Sequence, residues 1–247
     1  MLKNILTLIA ILLLTVSISE AQFPSGLKIA TGLTTTSLLG DNPAKLPMVP
    51  MTDEEDAVTG GALTHAQPGF EFRLIMPVDD EQTYYVPLSF EYAFFTGRER
   101  INTSQFIVDI WTHSLDVISL STGLNMNFYK MDFANAQIYA GIEGRVSFIG
   151  NIDTRAERDY LENLLEDETW IVPPKENATR IGGTLRLGVE GKLRDVFHVN
   201  AGFAFSAMNL IGKDNERGEL FTPIKVLEVK ESTVTTFQVF ILLQFNI

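Results

Sequence analysis

Cysteine is absent from all 247 residues, which excludes a disulfide framework, thiolate metal ligation and a lipid-bearing N-terminal cysteine. Histidine is scarce, with only His65, His113 and His198. Positive charge is also short: 19 Lys and Arg stand against 31 Asp and Glu, for a formal net charge of −12. That balance excludes nucleic acid as a partner, because its binding depends on basic residues neutralising phosphates. After the first twenty residues no apolar run approaches the roughly 20 residues of a membrane helix. No Gly/Ser- or Pro-rich linker divides the chain.

What is present begins with an export signal. Lys3 supplies a positive start, Ile5 to Ile18 an apolar stretch, and Ser19-Glu20-Ala21 puts small residues, Ser19 and Ala21, at the two positions that a signal peptidase reads. We expect cleavage after Ala21, so that residues 1–21 are a signal peptide and 22–247 form one domain.

Eight segments then alternate apolar with polar or small residues, the period of a strand. They are Leu27–Thr36, Gly69–Val78, Tyr84–Phe95, Leu115–Tyr129, Gln137–Phe148, Arg180–Leu193, Val196–Met208 and Thr235–Ile247. In the fourth, Ile118, Leu120, Leu124, Met126 and Phe128 share one face and Ser119, Ser121, Gly123, Asn125 and Asn127 the other. The connections alternate strictly between short and long. The short ones are "DDEQ", "KMDFAN" and "RD"; the long ones follow Ser37, Thr96, Ile149 and Asn209. An antiparallel up-and-down path therefore collects the short turns at one end and the long loops at the other, as in outer-membrane barrels.

On the signal peptide, the even strand number, the loop asymmetry and the apolar C-terminal strand "TVTTFQVFILLQFNI", the chain resembles the small eight-stranded outer-membrane β-barrels, the architecture of OmpX, OmpW and the OmpA membrane domain. It departs from them in finishing on Ile247, with Phe245 two places before, where members usually finish on Phe. The resemblance implies an all-β fold: an eight-stranded antiparallel up-and-down transmembrane β-barrel with short periplasmic turns and long extracellular loops. It also implies outer-membrane lipid as surroundings.

With the apolar faces toward lipid, the opposite faces line the interior. They carry Glu71, Arg73, Glu91, Glu143, Arg145, Arg186 and Glu190, with Arg180, Lys192 and Lys28 alongside. Eight strands leave a lumen just wide enough for side chains to fill, and unpaired ions there cost several kcal/mol each, so a mutually paired, closing network is expected. Aromatic residues near strand ends fit interface girdles: Tyr84, Tyr85 and Tyr129 at the turn end, Phe94, Phe95, Trp111 and Phe148 at the loop end.

The loops over 37–67 and 149–178 hold most of the negative charge. "TDEEDA" (52–57) lacks the alternating ligand spacing of a calcium loop and reads as a solvated acidic segment that an envelope or extracellular protein would meet. "TRAERDYLENLLEDE" predicts a helix over about 154–168, with Tyr160, Leu161, Leu164 and Leu165 as its apolar stripe. Catalysis finds little footing. His113 is followed by Ser114, which must point to the other face, and His198 by Asn200 two places on. His113 reads as a rim histidine, with Asp116 as its one conceivable acid–base partner. No cofactor or metal site is expected. The readings left open are a closed barrel of structural or surface-interaction role without enzymatic activity, a narrow passage for a small or apolar solute, a lipid-modifying enzyme, and a secreted lipocalin-like binder with its apolar faces inside.

Overall fold

The computed structural model describes residues 26–46, 48–50, 57–132, 135–160, 165–194, 197–214, 216–223 and 231–247. The signal segment and most of "TDEEDA" lie outside the described residues. Among the described residues eleven strands follow in chain order: β1 (Lys28–Leu38), β2 (Met48–Pro50), β3 (Ala57–Thr59), β4 (Gln67–Pro77), β5 (Tyr84–Asn102), β6 (Ile107–Lys130), β7 (Gln137–Tyr160), β8 (Glu168–Ile171), β9 (Ala178–Lys192), β10 (Phe197–Ile211) and β11 (Thr235–Asn246). Eight of them form an antiparallel ring in the order β6-β5-β4-β1-β11-β10-β9-β7, closed by β6 against β7. The C-terminal strand β11 pairs with β1 along its length, from Lys28 opposite Asn246 to Leu38 opposite Thr236. No edge of this strand is left open, which is what permits its apolar face.

Burial assigns inside and outside. Leu33 is 73% exposed and Ile142 69%, whereas Arg73, on an inward position, is 0% exposed. An apolar exterior around a charged interior is the arrangement of a barrel whose solvent is lipid. It overturns the lipocalin-like alternative, which needs the reverse. The outward apolar band runs from Tyr84 to Phe94 on β5, Ile118 to Phe128 on β6 and Ile138 to Phe148 on β7. Ten residues at about 3.3 Å rise, tilted by about 40°, span about 25 Å, the height of a barrel's apolar belt.

The turn end is tight. Asp79 accepts from the backbone N–H groups of Thr83 (3.0 Å) and Tyr84 (2.7 Å), folding "DDEQ" into a self-capped turn. At the loop end the structure departs from the sequence expectation. The connection after Thr96 is a turn of four residues, because β5 and β6 continue paired to Asn102 and Ile107. The expected helix is also corrected: Thr154–Tyr160 is the end of β7, with Thr154 and Ala156 buried and Arg155 and Glu157 outward. Residues 161–164 lie outside the described residues. A full-length hydrogen-bonding partner in β6 outweighs a local i, i+4 stripe. A bulge between Ser114 and Asp116, opposite Gly150 to Asp153, marks where β6 and β7 leave the ring. Beyond it β5, β6, β7 and β8 form a four-stranded sheet that stands outside the belt.

The girdle assignments are corrected in part as well. Adjacent strand residues cannot share a face, so Tyr85 and Phe95 point inward and are buried, while Tyr84 and Phe94 point out. Trp111 stands past the belt, edge to face with Trp170 at 6.1 Å.

Candidate functional site: the barrel interior

Three levels follow one another along the lumen. The middle level is ionic. Arg186 of β9 grips Glu71 of β4 with both Nη atoms, at 2.8 and 2.6 Å. Arg73 donates to Glu71 at 3.1 Å and to Glu143 of β7 at 2.7 Å. Glu143 also accepts from the Ser121 hydroxyl at 2.8 Å. Nearby, Arg145 meets Glu91 at 3.1 Å and donates to Ser119 and Ser147, while Gln238 donates to Glu91 at 2.6 Å. Three guanidiniums thus face three carboxylates, all buried. The Arg186 guanidinium also lies 3.8 Å from the centroid of the Phe240 ring, a cation–π contact made in a dry setting. Pairing and satisfied hydrogen bonds are the condition under which such charges can be buried at all.

The level at the turn end is polar. Lys28 Nζ donates to both oxygens of Glu190 at 2.8 and 2.9 Å, and His198 Nδ1 stands 3.2 Å from the same carboxylate. Tyr139 donates to Asn200 at 2.8 Å. Its ring occupies the place that a Cβ on Gly188 would need. Lys28, Tyr85, Asn125, Tyr139, Glu190 and Asn200 surround a small cavity.

At the loop end the inward wall turns apolar. Leu38, Phe95, Leu115, Val117, Ile149 and Met208 enclose Ala44 and Leu63 of the first loop and Leu220, Phe221 and Val234 of the last. Phe221 is 0% exposed, with its ring 5.1 Å from that of Phe95. Gly97 lets the first loop lie against β5, since a Cβ there would strike the Gly61 carbonyl.

Polar side chains fasten this cap to the wall. His113 is buried inside rather than set on the rim. Its Nε2 is 3.1 Å from the Phe221 carbonyl, which makes that nitrogen the donor, and Nδ1 is 3.0 Å from the Thr154 hydroxyl. Burial lowers its pKa from 6.5 to about 4. Ser114 and Asp116 lie on the opposite face, and Asp116 accepts from Tyr92 and Asn151. The His113–Asp116 pairing is therefore not formed. Lys175 donates to the Glu219 carbonyl (2.7 Å) and the Thr222 hydroxyl (3.0 Å). Burial, with Arg217 close by, brings its pKa down to about 7. Arg180 grips Glu231 through Nε and Nη2 at 2.8 and 2.6 Å, and Asn209 donates to Glu231 and to the Ser232 carbonyl. None of the cap residues stood out in the sequence. The one faint signal is "GELF" at 218–221, an apolar pair inside a polar loop.

No protein-family model matches the chain, and no curated protein matches it. Among solved structures it is similar to Ail, the attachment invasion locus protein of Yersinia pestis. The identity is 9% over 90% of this chain and 98% of that one, with a TM-score of 0.37. The same protein in complex with the heparin analogue sucrose octasulfate gives a TM-score of 0.43 at 9% identity and the same coverage. Neisserial surface protein A gives 0.44 at 8% identity, over 90% of this chain and 97% of that chain.

Proposed function

We propose that this chain is a non-enzymatic barrel of the outer membrane of a Gram-negative-type bacterium. In this reading it is exported by a signal peptide cleaved after Ala21 and closed to solutes, and it acts by presenting its extracellular loops and sheet to other molecules. The single observation that carries this is the filling of the interior by two different materials. The ionic network Glu71, Arg73, Glu91, Glu143, Arg145 and Arg186 occupies the middle, and the Leu63–Phe221 cap sits over it. A small barrel filled in this way is a scaffold rather than a conduit. Glu190 extends the network toward the turn end through Lys28 and His198.

What such a scaffold offers is its outer end. Trp111 and Trp170 meet on the extracellular sheet, where Arg158 is braced by Asp109 at 2.7 and 2.9 Å. The chain is at its most acidic over 37–67 and 149–178. An envelope or extracellular protein is the partner this surface would meet, since loops on a rigid scaffold are where recognition concentrates. Fractionation of the full chain, with gel mobility compared before and after boiling, tests the placement. An outer-membrane band that shifts on boiling supports it, and a soluble band without a shift defeats it.

A further inference from the structure

Trp111 and Trp170 are the only tryptophans in the chain, and they share one face of the extracellular sheet. Trp111 of β6 lies opposite Ala156 of β7, and Ala156 opposite Trp170 of β8. Residues directly opposite in neighbouring strands point to the same side. The small Ala156, 0% exposed, is therefore the floor over which the two rings meet, and both rings remain half-exposed. The row continues to Glu99 of β5, opposite Trp111. In the next row Asp109 lies opposite Arg158, and Arg158 opposite Glu168. Arg158 turns to Asp109 with Nε and Nη2 rather than to Glu168. Glu168 is exposed and Glu99 half-exposed, and neither makes an ion pair with another described residue.

Two unpaired carboxylates thus flank an aromatic pair. The face already holds one cation of its own chain: the Arg158 guanidinium lies 5.6 Å from the centroid of the Trp170 ring, a cation–π contact. Asp109 neutralises that guanidinium, so the charges of Glu99 and Glu168 stand uncompensated on this face. The field of the whole molecule has the same sign, at a net charge of −12, which draws in basic partners and repels acidic ones. Distance sets the form of the partner. Glu99 and Glu168 lie three strand spacings apart and two residues out of row, about 16 Å. Two cations four residues apart on an extended segment are about 13 Å apart, and their long flexible stems cover the rest.

We propose that this face docks a basic, extended segment of an extracellular protein, with its Lys or Arg side chains against Trp111 and Trp170 and their charged ends at Glu99 and Glu168. Aromatic faces supply contact area and the carboxylates fix where the cations lie. The proposal rests on the reading that the barrel acts by presenting its outer end, but its test does not depend on fractionation. If fractionation places the chain elsewhere, the outer-membrane reading fails while the binding result stands on its own.

Because both tryptophans lie on this face, tryptophan emission of the full chain refolded in detergent reports on it alone. The chain is titrated with the capped peptide KTVTK and, separately, with ETVTE. A saturable change in emission is expected with KTVTK and none with ETVTE. E99Q/E168Q is expected to raise the Kd for KTVTK roughly 10-fold, at the upper end of what two exposed ion pairs contribute. Glu157→Gln removes a charge from the opposite face of the same sheet and should leave the Kd unchanged. The gel shift on boiling checks that each variant is folded; should E99Q/E168Q fail to fold, the two peptides and Glu157→Gln still decide. No saturable change with KTVTK would overturn the proposal, as would an equal change with ETVTE or equal weakening by Glu157→Gln. A response to a neutral oligosaccharide and none to KTVTK would also overturn it, and would give the face to a glycan.

Discussion

The middle and the outer end of this barrel are built on the same strands and the same inward positions, yet they are filled in opposite ways. In the middle the wall fills itself: Arg73, Arg145 and Arg186 cross the lumen to Glu71, Glu91 and Glu143 on other strands. At the outer end the wall is mainly apolar, with His113, Thr154, Arg180 and Asn209 as its polar fasteners, and the filling arrives from the loops as Leu63, Leu220, Phe221 and Val234. The first kind of filling is inseparable from the barrel, because it joins strands that the ring already holds. The second is a separate layer fastened by a few polar groups, and it is expected to open without the ring opening.

Arg73→Ala should have the largest effect. It leaves Glu71 and Glu143 buried with half their partners, and breaking such a pair costs about 3–5 kcal/mol. Urea unfolding of the refolded barrel should show this loss globally, and replacing Arg73 and Glu143 together by apolar residues of similar volume should recover most of it. Phe221→Ala should cost about 3 kcal/mol, but only in the cap. Hydrogen exchange at 217–223 and 231–234 should rise while the urea midpoint of the ring stays put; a fall of the midpoint by the same amount would merge the two regions into one.

Acid should act on the cap in the same selective way. The His113 pKa is depressed in the folded cap, from 6.5 to about 4, so the unfolded cap binds the proton more readily. The His113 contribution to cap stability is then full above pH 6.5 and falls as pH drops toward 4, by about 2 kcal/mol at pH 5. Proteolysis of the last loop at pH 5 against pH 8 measures this, and His113→Gln should reduce the difference, leaving the share of Lys175, whose pKa is also lowered in the cap. The smallest effect expected is that of Trp170→Ala, which removes one edge-to-face pair outside the belt. A loss of about 1 kcal/mol, confined to exchange in β8 and the outer end of β7, would set the extracellular sheet apart from both fillings.

The sequence made the ring legible because lipid demands apolar residues outward, and the contrast with polar neighbours is strong over each span. The contrast fades above the belt. Thr96, Arg98 and Arg100 alternate with Phe95, Gly97 and Glu99 without a clear apolar face, so the outer ends of β5, β6 and β7 read as loop. The helix expected over 154–168 failed for the same reason: a charged strand in water carries no period-2 signature. Alternation also states which charged residues share a parity, but not which meet. The bond from Arg186 to Glu71 joins residues 115 positions apart and depends on ring closure. The cap left almost no trace, since four apolar side chains scattered over two loops have no periodicity to read.

Conductance across a planar bilayer bears on the central claim most directly. The wild-type barrel should insert and remain silent, and removal of the cap residues 217–223 should leave it silent, because the Arg–Glu network beneath still fills the lumen. Steady single-channel current through the wild-type protein would contradict the account.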